Sequence, residues 1–130
     1  MAITVLIIDD AAHIRRLVAR LLEQVGYTTI EAADGLQGLI ALQEQKPDVV
    51  TCDISMPFLD GYGFLRAARQ DPRTREIPII LITAIGQEEE AARATELGAD
   101  AYLTKPFSSS NLIETIQLQL KKYRPTDYVG

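Results

Sequence analysis

The chain has 130 residues, 47% of them hydrophobic and 24% charged, with a formal net charge of −5. That length suits one domain around a single core, and the balance excludes a disordered, collagen-like or low-complexity chain. The acidic surplus argues against sequence-independent nucleic-acid binding, which draws on lysine and arginine against phosphates, and favours a basic partner or a cation.

Val5 to Ile8 is an apolar run expected as the first strand; the segment around it lacks a basic start and is too short for a signal peptide or a membrane span, so a cytoplasmic location is expected. Ile14, Leu17, Val18, Leu21, Leu22 and Val25 recur at helical spacing, with Gly26 as a left-handed cap. Thr28 to Ala32 is the second strand. Leu36, Leu39 and Ile40 mark a second helix that stops near Lys46, because Pro47 disfavours helical geometry before it.

Val49 to Cys52 is the third strand, and Cys52, the single cysteine, cannot close an internal disulfide. A third helix runs from about Tyr62 to Gln70 and ends at Asp71-Pro72. Ile79 to Ile82 is the fourth strand. The fourth helix starts near Gln87, where Glu88, Glu89 and Glu90 suit the positive end of a helix dipole, and ends at Leu97-Gly98. Ala101 to Leu103 is the fifth strand, and Ser108 caps a fifth helix with Leu112, Ile113, Ile116 and Leu120 as its buried row. The alternation is that of a parallel α/β sheet covered on both faces. One domain over 1–123 and a short tail over 124–130 are expected, with no second domain.

Ligands of open parallel sheets bind beyond the carboxyl ends of the strands. There the first strand runs into Asp9 and Asp10, the third into Asp53, the fourth into Thr83, and the fifth into Thr104, Lys105 and Pro106. Three carboxylates and one ammonium on one edge make a pocket of net charge −2, which is costly unless a cation enters. The ligands are hard oxygens, which favours Mg2+ over zinc or copper. Carboxylate nucleophile, metal, lysine and hydroxyl together are the parts needed for phosphoryl transfer.

The Asp9-Asp10 pair, Asp53-Ile54-Ser55-Met56-Pro57 with Asp60-Gly61, Thr83-Ala84, and Leu97 to Tyr102 leading into Lys105-Pro106-Phe107 resemble the response-regulator receiver family, from Ile3 to about Lys122. The resemblance implies a flavodoxin-like, doubly wound α/β fold with five helices and a five-stranded parallel sheet in the order 2-1-3-4-5. It implies Asp53 as phosphoacceptor and Asp10 as a direct Mg2+ ligand. Asp9 would act largely through metal-bound water, and the Ser55 backbone carbonyl would complete the ligands.

By the same resemblance Lys105 pairs with the phosphoryl group, Thr83 hydrogen-bonds to it, Tyr102 is the aromatic switch and Lys105-Pro106 is a cis peptide. The implied donor is a sensor histidine kinase or a histidine phosphotransfer protein, and the recipient of the signal is a downstream effector that meets the fourth helix, fifth strand and fifth helix. No direct nucleic-acid or membrane contact is implied, a homodimer stays open, and the chain is a regulatory phosphoacceptor that assists its own modification and dephosphorylation. Apolar Ile85 cannot orient an attacking water, which points to slow self-dephosphorylation.

Other residues have plainer roles. Asp34 and Asp60 each precede a glycine and read as turn or cap residues. His13 reads as a structural or surface histidine, Cys52 as a small buried hydrophobe, and Leu118 as a solvent-facing leucine. Two competing functions are weighed, one sharing these chemical parts and the other only the fold. A haloacid-dehalogenase-type phosphatase would need an acid two residues after the nucleophile, where Ser55 stands. A flavodoxin-like binding module would need a phosphate-accepting loop after the first strand, where Asp9 and Asp10 repel anions. Within the family, the chain reads either as a single-domain regulator or as the excised receiver of a longer one.

Overall fold

The computed structural model describes residues 2–84 and 88–123. Strands and helices alternate as β1 (Thr4–Ile8), α1 (Ala12–Gln24), β2 (Thr28–Ala32), α2 (Gly35–Gln45), β3 (Val49–Asp53), α3 (Gly61–Gln70), β4 (Ile79–Ala84), α4 (Glu88–Glu96), β5 (Ala101–Lys105) and α5 (Ser109–Tyr123). Every strand pairing is parallel and the sheet order is β2-β1-β3-β4-β5. Three strands run past their expected carboxyl ends: β3 takes in Asp53, β4 reaches Ala84 and β5 reaches Lys105. Backbone pairing is indifferent to side-chain polarity, so the ladder continues into the polar residues. Gln87 and Ile85, like residues 124–130, lie outside the described residues.

Side chains alternate across the sheet and divide the core in two. Leu6, Ile8, Val50, Cys52, Ile79 and Leu81 pack with Leu42 of α2, Phe64 and Leu65 of α3, and Ala94 of α4. Val5, Ile7, Val49 and Ile80 pack on the other face with Val18 and Leu22 of α1 and Leu112, Ile116 and Leu120 of α5. Leu6, Phe64, Leu81 and Leu112 have no exposed surface, and truncating any of them to alanine would cost about 2–5 kcal/mol. Four apolar residues that mark helices by their spacing face outward instead: Leu17 and Val25 of the α1 region, and Leu36 and Ile40 of α2. In α2 the inward row is small, with Gly35, Gly38 and Ala41 beside Leu42.

The helix ends follow their sequence signals. Asp34, Asp60 and Ser108 accept the backbone N–H of Gln37, Gly63 and Asn111 at 2.8, 2.8 and 3.0 Å. Gly26 and Gly98 carry positive φ after α1 and α4, and Lys46 ends α2 at φ 45 before Pro47. A clamp unforeseen in the sequence joins the far end of α4 to α3. Arg69 donates to the carbonyl oxygens of Gly98 (3.1 Å), Arg75 (3.0 Å) and Ile77 (2.8 Å) and to Asp100 Oδ2 (2.6 Å). Beside it, Arg93 of α4 lies 4.8 Å from the centroid of the Tyr62 ring. Among the described residues no helix is long and apolar enough to cross a membrane.

Candidate functional site

Strand register brings the polar residues to one edge. Ile8 pairs with Cys52, so the residues that follow, Asp9 and Asp53, emerge from adjacent strands at one level. Asp53 pairs with Ile82, one residue before Thr83, and Thr83 pairs with Thr104, one residue before Lys105. The carboxylates of Asp9, Asp10 and Asp53 offer oxygens that all lie within 4.8 Å of one another. Lys105 Nζ donates to Asp53 Oδ2 at 3.3 Å and to Asp9 Oδ2 at 3.4 Å across the mouth of this group.

The local backbone is built around Asp53. Gly61 opens α3 against that strand: a Cβ there would lie 2.7 Å from the Asp53 carbonyl oxygen and 2.8 Å from Ile54 Cα, so no side chain fits. The Gly61 N–H completes the contact on the Ile54 carbonyl at 2.8 Å. Between them the chain makes a tight turn, with Leu59 N–H on the Pro57 carbonyl at 2.8 Å. Phe58 at its centre has φ 70 and is 84% exposed, a conformation that costs a bulky L-residue about 1–3 kcal/mol. Sequence reasoning does not find this strain, since nothing in the residue type announces it.

Burial raises the Asp53 pKa; Lys105 opposes that shift, Asp9 and Asp10 add to it, and the net is upward. Burial works against the Lys105 charge, but the Asp53 and Asp9 carboxylates outweigh it and hold the ammonium above its usual range. Burial, with Asp53 next to it, also pushes the Cys52 thiol well up, so the thiolate is suppressed as expected for a buried cysteine. Asp9 is 4% exposed and has both carboxylate oxygens engaged, Oδ1 with the Ala11 N–H at 2.9 Å and Oδ2 with Lys105. Asp10 is exposed.

Thr83 is buried in β4 and Tyr102 is 47% exposed in β5. Tyr102 pairs with Leu81, which packs on the α3 and α4 side, and alternation puts Thr83 on that same side. Ser55 is exposed two residues beyond Asp53, and the Lys105-Pro106 bond is cis. His13 is exposed in α1, as is Leu118 in α5. One residue of the site is absent from the sequence reading. Arg15, in the first turn of α1, reaches back to the Asp9 carbonyl at 2.8 Å and across to Glu31 at 3.0 Å.

The oxygen cluster fits a small hard divalent cation, since carboxylates supply the donors and a cation would offset their mutual repulsion. This fold and sheet order have counterparts in known proteins. The family model of the response regulator receiver domain matches residues 5–117. The chain belongs to that family. Receiver domains are signalling modules of two-component systems and bind Mg2+ at a cluster of acidic residues.

Among relatives, this receiver domain is 38% identical over 124 residues to the phosphate regulon transcriptional regulatory protein PhoB of Pseudomonas aeruginosa, covering 95% of this chain and 54% of PhoB. The chain thus spans about half the length of the curated relatives it matches. The chemotaxis response regulator CheY4 of Vibrio cholerae superposes with a TM-score of 0.86 at 32% identity, covering 92% of this chain and 100% of that one. The receiver domain of NtrX from Brucella abortus gives 0.85 at 32% identity, covering 90% and 98%. Fold class and sheet order are those expected from the sequence.

Proposed function

We propose that Asp53 is the phosphoacceptor of a Mg2+-dependent switch. The observation that carries this reading is the cluster of Asp9, Asp10 and Asp53 with Lys105 bridging two of its members. The donor is a phosphohistidine on a sensor histidine kinase or a histidine phosphotransfer protein. An Asp53 carboxylate oxygen attacks phosphorus, the phosphorus–nitrogen bond breaks, and the imidazole leaves with the bonding pair as an acyl phosphate forms.

Asp10 and Asp53, with the Ser55 carbonyl, would hold Mg2+, and Asp9 would hold it largely through water. Bound there, the cation would neutralise the carboxylates and the incoming phosphoryl oxygens. Lys105 then exchanges its carboxylate partners for a phosphoryl oxygen, and the Thr83 hydroxyl donates to another. Those bonds exist only in the modified state, so they bias the conformation of the Tyr102 side of the sheet and the α4, β5 and α5 surface that an effector would read. The setting is cytoplasmic, and the module assists its own modification without turning over a separate substrate.

Intact mass after incubation with Mg2+ and acetyl phosphate tests the reading. Wild type gains one phosphoryl group; Asp53→Ala and wild type with chelator do not. A stoichiometric gain by Asp53→Ala would show that the acceptor lies elsewhere. A second reading concerns the whole protein: the chain is the receiver part of a longer regulator, which is favoured by its covering 54% of PhoB.

A further inference from the structure

We propose that Arg15, held in place by Glu31, is a positioning residue for the divalent cation, fixing the backbone that aims Asp10 into the site; the inference rests on the Mg2+ reading above. Both peptide groups that flank the Asp10 Cα are tied. Arg15 Nη1 donates to the Asp9 carbonyl oxygen at 2.8 Å, which orients the peptide group between Asp9 and Asp10. The Ala11 N–H belongs to the next peptide group and donates to Asp9 Oδ1 at 2.9 Å. Because each peptide group is planar, fixing two in succession fixes the φ and ψ of the residue between them. The Asp10 carboxylate, exposed at the mouth of the site, then leaves the backbone in one direction.

Arg15 can impose that direction because it is itself immobilised. Its Nε donates to Glu31 Oε1 at 3.0 Å, and its side chain is only 14% exposed. Glu31 stands on β2 opposite Ile7 of β1, so the guanidinium spans two paired strands and the first turn of α1. A planar fork with several donors suits this double contact; an ammonium on a flexible stem does not. Loss of partners that orient a metal ligand typically costs about 10–100-fold in metal affinity.

Charge and geometry predict opposite signs here, which makes the role testable. A positive charge near the site repels Mg2+, so electrostatics alone has Arg15→Met binding it more tightly and Arg15→Lys binding it as wild type does. Positioning has both variants binding more weakly.

Calorimetric titration of the 130-residue chain with Mg2+ decides between them, with circular dichroism of the metal-free variants as the control for folding. The expected result is a roughly 10-fold loss of affinity in Arg15→Lys and in Arg15→Met with the helical spectrum kept. In metal-free protein the Asp10 and Ala11 amide resonances should broaden in both variants and in Glu31→Gln, which charge alone does not produce. Should Arg15→Met fail to fold, Arg15→Lys and Glu31→Gln carry the test. Wild-type affinity in Arg15→Lys, or tighter binding in Arg15→Met, overturns the inference while leaving the phosphoacceptor reading intact. A wild-type chain that binds no Mg2+ overturns both.

Discussion

Lys105 Nζ sits 3.3 Å from Asp53 Oδ2, so the proposed phosphoacceptor carries an ammonium on one of its two carboxylate oxygens. The ion pair joins β5 to β3 across β4. It offsets part of the negative charge of the cluster, and under the proposed function it would have to open for Lys105 to meet a phosphoryl oxygen.

From this we predict opposite effects of two substitutions on Mg2+ binding. Asp10→Ala removes a carboxylate and should weaken binding by about 10-fold or more. Lys105→Ala removes a repelling charge and frees two carboxylates, so affinity should be kept or increased, while the response to phosphorylation is lost. Calorimetric titration of both variants checks this, and equal losses would contradict the separate roles.

The raised pKa of Asp53 makes a stability prediction. Ionising a carboxyl whose folded pKa is raised costs the folded state more than the unfolded one. That cost is absent below the unfolded value of roughly 3.9 and complete once pH passes the raised folded value. Asp53→Asn should therefore melt above wild type at neutral pH in metal-free buffer. The advantage should vanish as pH falls through that window. Lys105 runs the other way: its raised pKa gives stability that is full below its unfolded value and lost as pH rises through the folded one. Mg2+ at ten times its Kd should add about 1.4 kcal/mol to wild type. Thermal melts across pH, with and without Mg2+, measure all three.

Thr83 is buried and Tyr102 half exposed on one side of the sheet, which leads us to predict that they respond together. Beryllium fluoride with Mg2+ should slow amide exchange in β5 and α5 of wild type, and Thr83→Ala should lose that change. Partner affinity would shift by about 5–150-fold, the usual range of such coupling. Normal mimic binding in Thr83→Ala with wild-type exchange changes would refute the mechanism.

Phe58 holds φ 70 with its ring in solvent, so strain there is not offset by burial. Phe58→Gly should stabilise the fold by about 1 kcal/mol, relief of strain exceeding the entropy of an added glycine. A higher urea midpoint with an unchanged slope is the expected reading. A lower midpoint would mean that the ring makes contacts in solution.

Much of this was legible in the sequence because parallel strands are apolar on both faces and their acids fall at the ends. Asp9, Asp10, Asp53 and Lys105 could be gathered on one edge from alternation alone. Arg15 could not, since an arginine in a first helical turn looks like any solvated charge. Its role comes from the β1–β2 register that brings Glu31 within reach sixteen residues away. The outward turn of Leu36 and Ile40 was equally hidden. Periodicity marks a helix, but its inner face is chosen by what fits: a Cβ at Gly38 would lie 2.5 Å from Ile8 Cδ1. The close approach of α2 therefore requires the small residues inside and leaves the leucine and isoleucine outside.

The Arg69 clamp gives α4 one anchored end. Nine residues make a rod about 13 Å long, tied at Gly98 and steadied by Arg93 over Tyr62. Ala94 also seats the helix on the core, so the described anchors all lie in its carboxyl-terminal half. Tilting it by about 10° would carry the Glu88 end by about 2 Å and the Gly98 end hardly at all. For any such tilt the anchored end would be the fulcrum, and a small displacement at the Glu88 end would be spread as leverage along the helix.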